Sequence, residues 1–376
     1  NDRIITRYKN LNPQIDAKIL RNCLEYEPKF FTWGASDFFN VIDSNGKRQM
    51  IVVESDSSPA GQVTMPSLGI NKRHNGYKFI TQTAFKQALK GTDPSIGELA
   101  ILYDVTSDET EATGFAAAIS EETKEHVWIV MLYDIAKYEL LKWENKVMYI
   151  KDQDEGHKPW IYFPLKSKTV VFNNIISCLA GGQNKIMAAK SFELFNTELS
   201  GSGLVIRFPK TVYNVNKSEI YSCIEKMGGR VVIKSPYGSC GHGVYTITNS
   251  EELKEFFDTN HHYEKFIVQS LVESAYGDSW NAFGTNVSVK LDSSWIEEYE
   301  RVITVDQKEF DTTGLGIDDL IDAYVQTVLS IIAIDKMCQK LFVNHEFNFE
   351  LYRTLNPDDV LLDDEPVNFL CIIKDN

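Results

Sequence analysis

The stretch that most constrains the fold runs from residue 231 to residue 247, where two short β-branched runs flank a loop with three closely spaced glycines. Such runs are typical of strands, so the pattern predicts a hairpin closed by this loop. Glycines let backbone amides approach an anion without interference from a Cβ atom, and Lys234 stands directly before the loop. No Gly-Lys-Ser/Thr triplet follows and no helix opens there, so the loop is neither a Walker loop nor a dinucleotide fingerprint. Taken alone, an ordinary glycine-bulged hairpin is an equally good interpretation.

A second hairpin is predicted near the N-terminus, with a strand over residues 33–42, an Asp-Ser-Asn-Gly turn and a return strand over residues 49–54. Alternation along the return strand puts Glu54 and Asp56 on one side, with Asp37 available from the neighbouring strand. Three converging carboxylates are the hard oxygen ligands that Mg²⁺ prefers. Taken alone, these acidic residues are more simply interpreted as solvated turn residues. Their combination with Lys234 before the glycine loop favours the interpretation as a metal site.

The rest of the chain predicts a mixed α/β protein. Strand, helix and strand over residues 98–104, 110–119 and 127–132 form a βαβ unit, which indicates a small open α/β domain at about 95–180. The other predicted elements are a helix from Asn12-Pro13 to Tyr26, a helix around 82–89, a helix capped by Asn184, a helix over 218–227, a helix capped by Asn249 and Glu252, strands over 266–273, 281–291 and 295–305, a helix over 318–334 and a strand-like run over 341–350.

The composition limits partners and compartment. With 376 residues the chain is long enough for two or three domains, and its formal charge of −15 argues against a nucleic-acid partner and against an anionic membrane surface. Its six cysteines are scattered without a CxxC pair, which indicates reduced thiols and a cytoplasmic protein. No apolar run reaches membrane-spanning length and no signal-peptide pattern is present. The chain starts at Asn1 rather than methionine, which leaves the completeness of the N-terminus open.

Together these elements resemble the ATP-grasp superfamily, the carboxylate–amine ligases that include D-alanine–D-alanine ligase and glutathione synthetase. In this resemblance Lys234 is the ATP lysine before the phosphate lid, and Lys185 or Lys190 is the first nucleotide lysine. Residues 266–273 form the hinge strand, where Gln269 faces the adenine amino group. The nucleotide contacts that the resemblance implies are Lys185, Lys190, Lys234, Gly238, Ser239, Cys240, Gly241, His242, Gly243, Gln269, Ser270, Leu271, Val272 and Glu273. Within this set, backbone groups of Ser270 and Val272 read the adenine edge, and Glu273 or Asp278 takes the ribose. His242 contacts phosphate or is a solvated loop histidine, and Cys240 fills space.

The resemblance also implies a magnesium site made of Asp37, Glu54 and Asp56. In most members this signature follows the hinge, so its place near the N-terminus implies a circular permutation, which eukaryotic glutathione synthetase parallels. The family usually has Glu-x-Asn where this chain has Glu54-x-Asp56. An arginine that often precedes the first aspartate in the family is missing here. Arg301 is the candidate that would replace it in steadying the transferred phosphate. An alternative metal set in the unpermuted order stays open: Asp335, Glu346 and Asn348. The acceptor substrate is then expected to contact Ser57, Ser58, Gly61 and Gln62.

The resemblance implies an ATP-grasp fold with four segments. They are residues 1–94 (the permuted part of the C-domain with the metal signature), 95–182 (the pre-ATP-grasp α/β domain), 183–275 (the nucleotide lid subdomain) and 276–376 (the remainder of the C-domain). The implied activity is ATP- and Mg²⁺-dependent ligation of a small-molecule carboxylate, such as an amino acid or peptide, to an amine through an acylphosphate, with release of ADP and phosphate. These ligases are often homodimers. Two rival functions are a nucleotide-binding regulatory module without turnover and a phosphotransferase.

Overall fold

The structure is a computed structural model, which describes residues 1–42, 46–57, 75–86, 89, 98–103, 109–131, 141–144, 147–150, 170–172, 176–237, 243–259, 261, 265–272, 287–289, 316–343, 346–357 and 371–374. It is a mixed α/β fold with several small sheets. The α-helices are α1 (Asp2–Leu11), α2 (Ala17–Leu24), α3 (Asn75–Ile80), α4 (Glu109–Thr123), α5 (Lys185–Glu198), α6 (Ile220–Lys226), α7 (Ser250–Asp258), α8 (Ile317–Leu341) and α9 (Phe349–Leu355). Short helical turns at Thr81–Phe85, Cys178–Gly182 and Lys217–Glu219 adjoin α3, α5 and α6.

The strands, in chain order, are β1 (Gly34–Ile42), β2 (Arg48–Asp56), β3 (Leu99–Tyr103), β4 (Val127–Met131), β5 (Leu141–Glu144), β6 (Val147–Ile150), β7 (Val170–Phe172), β8 (Thr211–Asn216), β9 (Val231–Lys234), β10 (Val244–Ile247), β11 (Lys265–Ser270), β12 (Val287–Val289), β13 (Phe342–Val343), β14 (Glu346–Phe347) and β15 (Cys371–Lys374).

The N-terminal hairpin is confirmed, and it forms one sheet with a strand from far along the chain. β1 pairs antiparallel with β2 on one side and with β12 on the other. The long helix α8 packs against all three strands. Phe38 and Val52, which are opposite each other in the register, face the same apolar core as the α8 residues Val328 and Ile332. The hairpin therefore owes its position to a helix more than 250 residues later, which no local signal specifies.

The predicted glycine-loop hairpin is also confirmed, as β9 and β10 in a four-stranded antiparallel sheet of order β10-β9-β11-β8. Val231, Ile233, Phe266 and Val268 face a core with α6 and α7. Because successive side chains on a strand point to opposite faces, the residues that alternate with these four lie on the other face. That second face forms part of the candidate site described below.

The predicted βαβ unit is confirmed by the parallel pairing of β3 with β4 across α4. Its sheet has the order β4-β3-β15-β7, so β15 from the C-terminal end lies between β3 and β7. The helical segment around α3 packs against α4 as well. Residues 75–86 and 371–374 thus pack with this helix and sheet.

Two local predictions are wrong. The first helix does not begin at Asn12, because this residue ends α1, and α2 begins after Asp16, whose carboxylate accepts hydrogen bonds from the amides of Lys18 and Ile19. The strand-like run over residues 341–350 is instead the end of α8, the two-residue strands β13 and β14 and the start of α9. Aromatic and β-branched residues predict a strand there, but Asn348 accepts a hydrogen bond from the Leu351 amide and caps a helix.

Within the described part of the chain, no helix is both long enough and apolar enough to cross a membrane.

Candidate functional site

A bulge in the N-terminal hairpin turns Glu54 into a cleft, on the same strand face as Asp37. Phe38 pairs with Val52 but Asp37 pairs with Glu54, so β2 carries one extra residue at Val53. Without this bulge, alternation from Val52 would turn Glu54 toward the apolar core. The extra residue reverses the alternation, and Glu54 lies with Asp37 on the opposite face, half-buried. Bulges commonly re-aim a side chain next to a functional site.

Lys185 reaches the same cleft from the first turn of α5. Asn184 fixes this helix start, since its side-chain oxygen accepts hydrogen bonds from the amides of Ile186 and Met187. The Lys185 amide donates to the Pro236 carbonyl at the base of the glycine loop, over 3.0 Å. The Lys185 ammonium lies 2.8 Å from Glu54 Oε1, and its side chain is 9% exposed. The resemblance names Lys185, or alternatively Lys190, as the first nucleotide lysine, and of these two Lys185 lines this cleft.

Lys234, the last residue of β9, brings a second buried ammonium to the carboxylates. It lies on the sheet face opposite to the core residues Val231 and Ile233 and is 5% exposed. Burial lowers the pKa of Lys234 to about 8; Glu54 and Asp37 oppose that shift, while Lys185 adds to it. Among the described residues, its hydrogen bond is a long one of 3.5 Å to the Val53 carbonyl. A buried ammonium whose one hydrogen bond to the described residues is this long is suited to an added anion.

The predicted hinge strand forms another wall. Ile267 and Gln269 alternate with core residues of β11 and line the cleft, which encloses about 430 Å³ of space, open solvent included. Gln269 is buried, and its Nε2 donates to Thr211 Oγ1 over 3.0 Å. The Ser270 amide donates to the Lys210 carbonyl over 2.9 Å, so this donor is already used within the protein.

Asp56, the third predicted metal ligand, is engaged by a side chain from another segment. Its Oδ1 accepts a hydrogen bond of 2.6 Å from Gln183 Nε2, a residue that the sequence analysis did not single out. Among the residues that the structure describes, no group of three or more His, Cys, Asp or Glu side chains is arranged to hold a metal. Asp37 and Glu54 are register partners on neighbouring strands, and Asp56 lies two positions further along β2.

Ser57 is buried where β2 ends, rather than open to a substrate. Its amide donates to the Gly182 carbonyl over 3.1 Å, and its hydroxyl lies 3.2 Å from Cys178 Sγ. Burial raises the pKa of the Cys178 thiol to about 12, which keeps it protonated. Ser57 thus packs the hairpin against the turn that precedes α5. The other predicted acceptor residues, Ser58, Gly61 and Gln62, lie outside the described residues.

Lys190 has a different environment from Lys185. Its ammonium donates to the Leu355 carbonyl at the end of α9 and lies 4.6 Å from the centre of the Tyr213 ring. Burial lowers the pKa of Lys190, and Glu193 opposes the shift. These contacts give Lys190 a role in joining α5, β8 and α9.

Two members of the alternative metal set, Asp335 and Asn348, make other contacts. Asp335 is fully buried, and its two carboxylate oxygens accept four hydrogen bonds of 2.7–2.9 Å, from the Tyr26 hydroxyl, the amides of Lys29 and Phe30, and the Gln339 side chain. Asn348 caps α9. Asp335 therefore fixes the segment between α2 and β1 onto α8.

A buried cluster of hydroxyl and amide groups, which the sequence did not reveal, supports the base of the glycine loop. Asn184 Nδ2 donates to the hydroxyls of Tyr237 and Tyr352, over 2.7 and 3.1 Å. It links the start of α5, the residue before the loop and helix α9. The predicted lid residues Gly238, Ser239, Cys240, Gly241 and His242 lie outside the described residues, as do Glu273, Asp278 and Arg301; Gly243 closes the loop, because its carbonyl accepts from the Ser235 amide over 2.8 Å.

Comparisons with known proteins add little to this geometry. No protein-family model matches the chain, and no curated protein does. Among solved structures, a glutathione synthetase-like effector (GSS30) from Globodera pallida, in its apo form, is similar over 72% of this chain and 69% of its own, with 11% sequence identity and a TM-score of 0.37. A similarity this distant does not establish a common fold.

Proposed function

We propose that this chain binds ATP with Mg²⁺ in the cleft between the N-terminal hairpin and the β10-β9-β11-β8 sheet, and that it uses ATP to join a carboxylate to an amine. The observation that carries the proposal is the convergence of Lys185 and Lys234 on Glu54 and Asp37. Two cations from the predicted nucleotide segment lie near two carboxylates from the predicted metal segment, and this proximity supports the proposal.

The pairing of β12 with β1 supports the permuted order. β12 follows the hinge strand in the chain, and it lies directly beside the hairpin that carries Asp37 and Glu54. In the unpermuted order a metal-bearing strand would follow the hinge. The N-terminal hairpin lies next to the strand after the predicted hinge, an arrangement that a circular permutation would produce.

The residues present fit a magnesium ion that is shared with phosphate. Asp37 and Glu54 supply hard oxygen ligands, and Mg²⁺ in nucleotide sites commonly takes one or two carboxylates and completes its shell with phosphates and water. The sparsely hydrogen-bonded ammonium of Lys234 beside them fits the phosphate. When bound, the metal would neutralise negative charge on the phosphates.

The proposed chemistry rests on positioning and charge. A substrate carboxylate attacks the γ-phosphate of ATP and ADP leaves, which gives an acylphosphate; an amine then attacks the acyl carbon and phosphate leaves. Lys185 and Lys234 bind phosphate oxygens and stabilise the charge on the transferring group. Gln269 contacts the adenine, and the 238–243 loop covers the phosphates and excludes water. Arg301 is proposed to steady the same phosphate.

Calorimetry with a non-hydrolysable ATP analogue and Mg²⁺ tests nucleotide binding. We expect Lys234→Met to weaken binding strongly, because a buried cation facing the phosphates is lost, and Lys226→Met to leave it unchanged, because that lysine is exposed at the end of α6. Equal affinities of these two variants would contradict the proposed site. ADP release with pools of amino acids, carboxylates and amines then tests turnover, and a product of condensed mass identifies ligation.

The arrangement of the carboxylates favours a second candidate function, that of a nucleotide-binding module without turnover. Asp56 is held by Gln183, and the described carboxylates do not form a cluster of three. A protein with this function would bind the analogue and release no ADP with any pool. A phosphorylated acceptor in place of a condensed product would identify a phosphotransferase.

A further inference from the structure

The Lys185 ammonium occupies one carboxylate oxygen of Glu54, a residue that the proposed function assigns to the metal. Its Nζ is 2.8 Å from Glu54 Oε1, and the two side chains are 9% and 28% exposed. A metal ion that binds Glu54 through Oε1 would compete with the ammonium, because the two positive groups would then share one acceptor oxygen. The contact joins the start of α5 to β2, so it belongs to the tertiary structure of the cleft rather than to a mobile surface pair.

The charges around the cleft also disfavour the binding of a divalent cation without an anion. Two lysines, Lys185 and Lys234, face two carboxylates, Asp37 and Glu54, so these four groups sum to no net charge. A divalent cation alone would add two positive charges beside both ammonium groups. A polyphosphate would bring the opposite charge, and the Lys234 ammonium, 5% exposed with its 3.5 Å hydrogen bond to Val53, is ready to receive it.

We propose that Lys185 takes the place of the metal ion and holds Glu54 while the site is empty. Nucleotide phosphates then attract the lysine away from Glu54, so that nucleotide and divalent cation bind with positive coupling. This regulation rests on the proposed nucleotide site. Phosphate oxygens offer Lys185 a second anion, and the released Glu54 oxygen then accepts the cation. The coupling is reciprocal, so the cation strengthens nucleotide binding by the same factor.

Mn²⁺ alone is the probe, with free Mn²⁺ measured by electron paramagnetic resonance. We expect Lys185→Met to bind Mn²⁺ about tenfold more tightly than the unmodified protein in the absence of nucleotide, a factor within the usual range of coupling between sites. Lys234→Met is the matched control: it removes an equal charge from the same cleft but no 2.8 Å contact with Glu54. Thermal melting confirms that both variants fold.

An equal gain in Mn²⁺ affinity for Lys185→Met and Lys234→Met would indicate general repulsion and overturn the proposal, as would no gain for either. A second arm repeats the titration with ADP present. ADP should raise Mn²⁺ affinity much more in the unmodified protein than in Lys185→Met; equal increases would overturn the proposal. The Mn²⁺ titration without nucleotide tests the contact between Lys185 and Glu54 even if the protein does not bind ATP. Calorimetry with the ATP analogue tests the proposed function separately.

Discussion

Lys185 Nζ lies 2.8 Å from Glu54 Oε1, although the two residues are 131 positions apart in the chain. Each is held by its own local feature: Lys185 begins a helix capped by Asn184, and Glu54 follows a bulge opposite Asp37. The contact joins the N-terminal hairpin to the segment that carries the glycine loop. The candidate site therefore exists only when both parts have folded together.

Lys185 and Lys190 should respond differently to the same substitution. We expect Lys185→Met to weaken the Mg²⁺-dependent binding of an ATP analogue about 10- to 100-fold, the range for loss of a hydrogen bond to a charged group. Lys190→Met removes a contact with the Leu355 carbonyl and one with the Tyr213 ring, so it should lower the free energy of unfolding by about 1 kcal/mol and leave nucleotide affinity unchanged. Calorimetry and urea unfolding measure the two effects, and loss of binding in Lys190→Met would contradict this assignment.

Asp335 should contribute to stability and not to metal binding. Asp335→Asn replaces one acceptor oxygen by an amide that faces other donors, so we expect a loss of about 2–4 kcal/mol in the free energy of unfolding. Mn²⁺ affinity measured in the folded protein should not change. A folded Asp335→Asn variant that has lost Mn²⁺ binding would instead favour the metal set of Asp335, Glu346 and Asn348.

The buried Lys234 should give a distinctive dependence of stability on pH. Its pKa is lowered to about 8 in the folded protein from 10.5, so below pH 8 folding carries the full cost of burying the charge. As pH rises from about 8 to about 10.5 the unfolded chain binds more protons than the folded one, and this cost, roughly 3 kcal/mol, disappears. Lys234→Met should therefore be more stable than the unmodified protein at pH 7, and this advantage should shrink by pH 10. Urea unfolding across this pH range checks it, and an advantage that is constant with pH would contradict it.

Gly182 should tolerate no side chain, because the end of β2 packs against it. A Cβ atom there would lie 2.4 Å from Ser57 Cβ and 2.8 Å from the Ser177 carbonyl. We expect Gly182→Ala to lower the free energy of unfolding by about 1–3 kcal/mol and to weaken nucleotide binding, since it displaces the strand that carries Glu54. Gly228→Ala is the control: it meets no atom within 4 Å and has only its φ of 85° to strain it. If Gly228→Ala reduces nucleotide affinity as much as Gly182→Ala does, the cleft does not depend on this packing.

Elements with a strong local signal were predictable from the sequence. Asn184 and Asn249 both cap helices as predicted, because a short polar side chain can accept from amides two and three residues ahead. The glycine-loop hairpin and the βαβ unit were predictable for the same reason, since periodicity and turn residues act over a few positions. Where two local signals competed the prediction was wrong: Asn12 before Pro13 suggests a helix start, yet Asp16 provides the cap.

The sequence by itself determined which residue types were available: a lysine before a glycine loop, a lysine after a capping asparagine, and acidic residues at a strand end. Only the tertiary structure decided which of them meet. The bulge at Val53 determines the sheet face on which Glu54 lies. The packing of α5 brings Lys185 rather than Lys190 to Glu54. β15 joins β3 and β7 from the far end of the chain in the same way. Pairing and packing of this kind depend on apolar burial summed over distant segments, so no short window of residues encodes them.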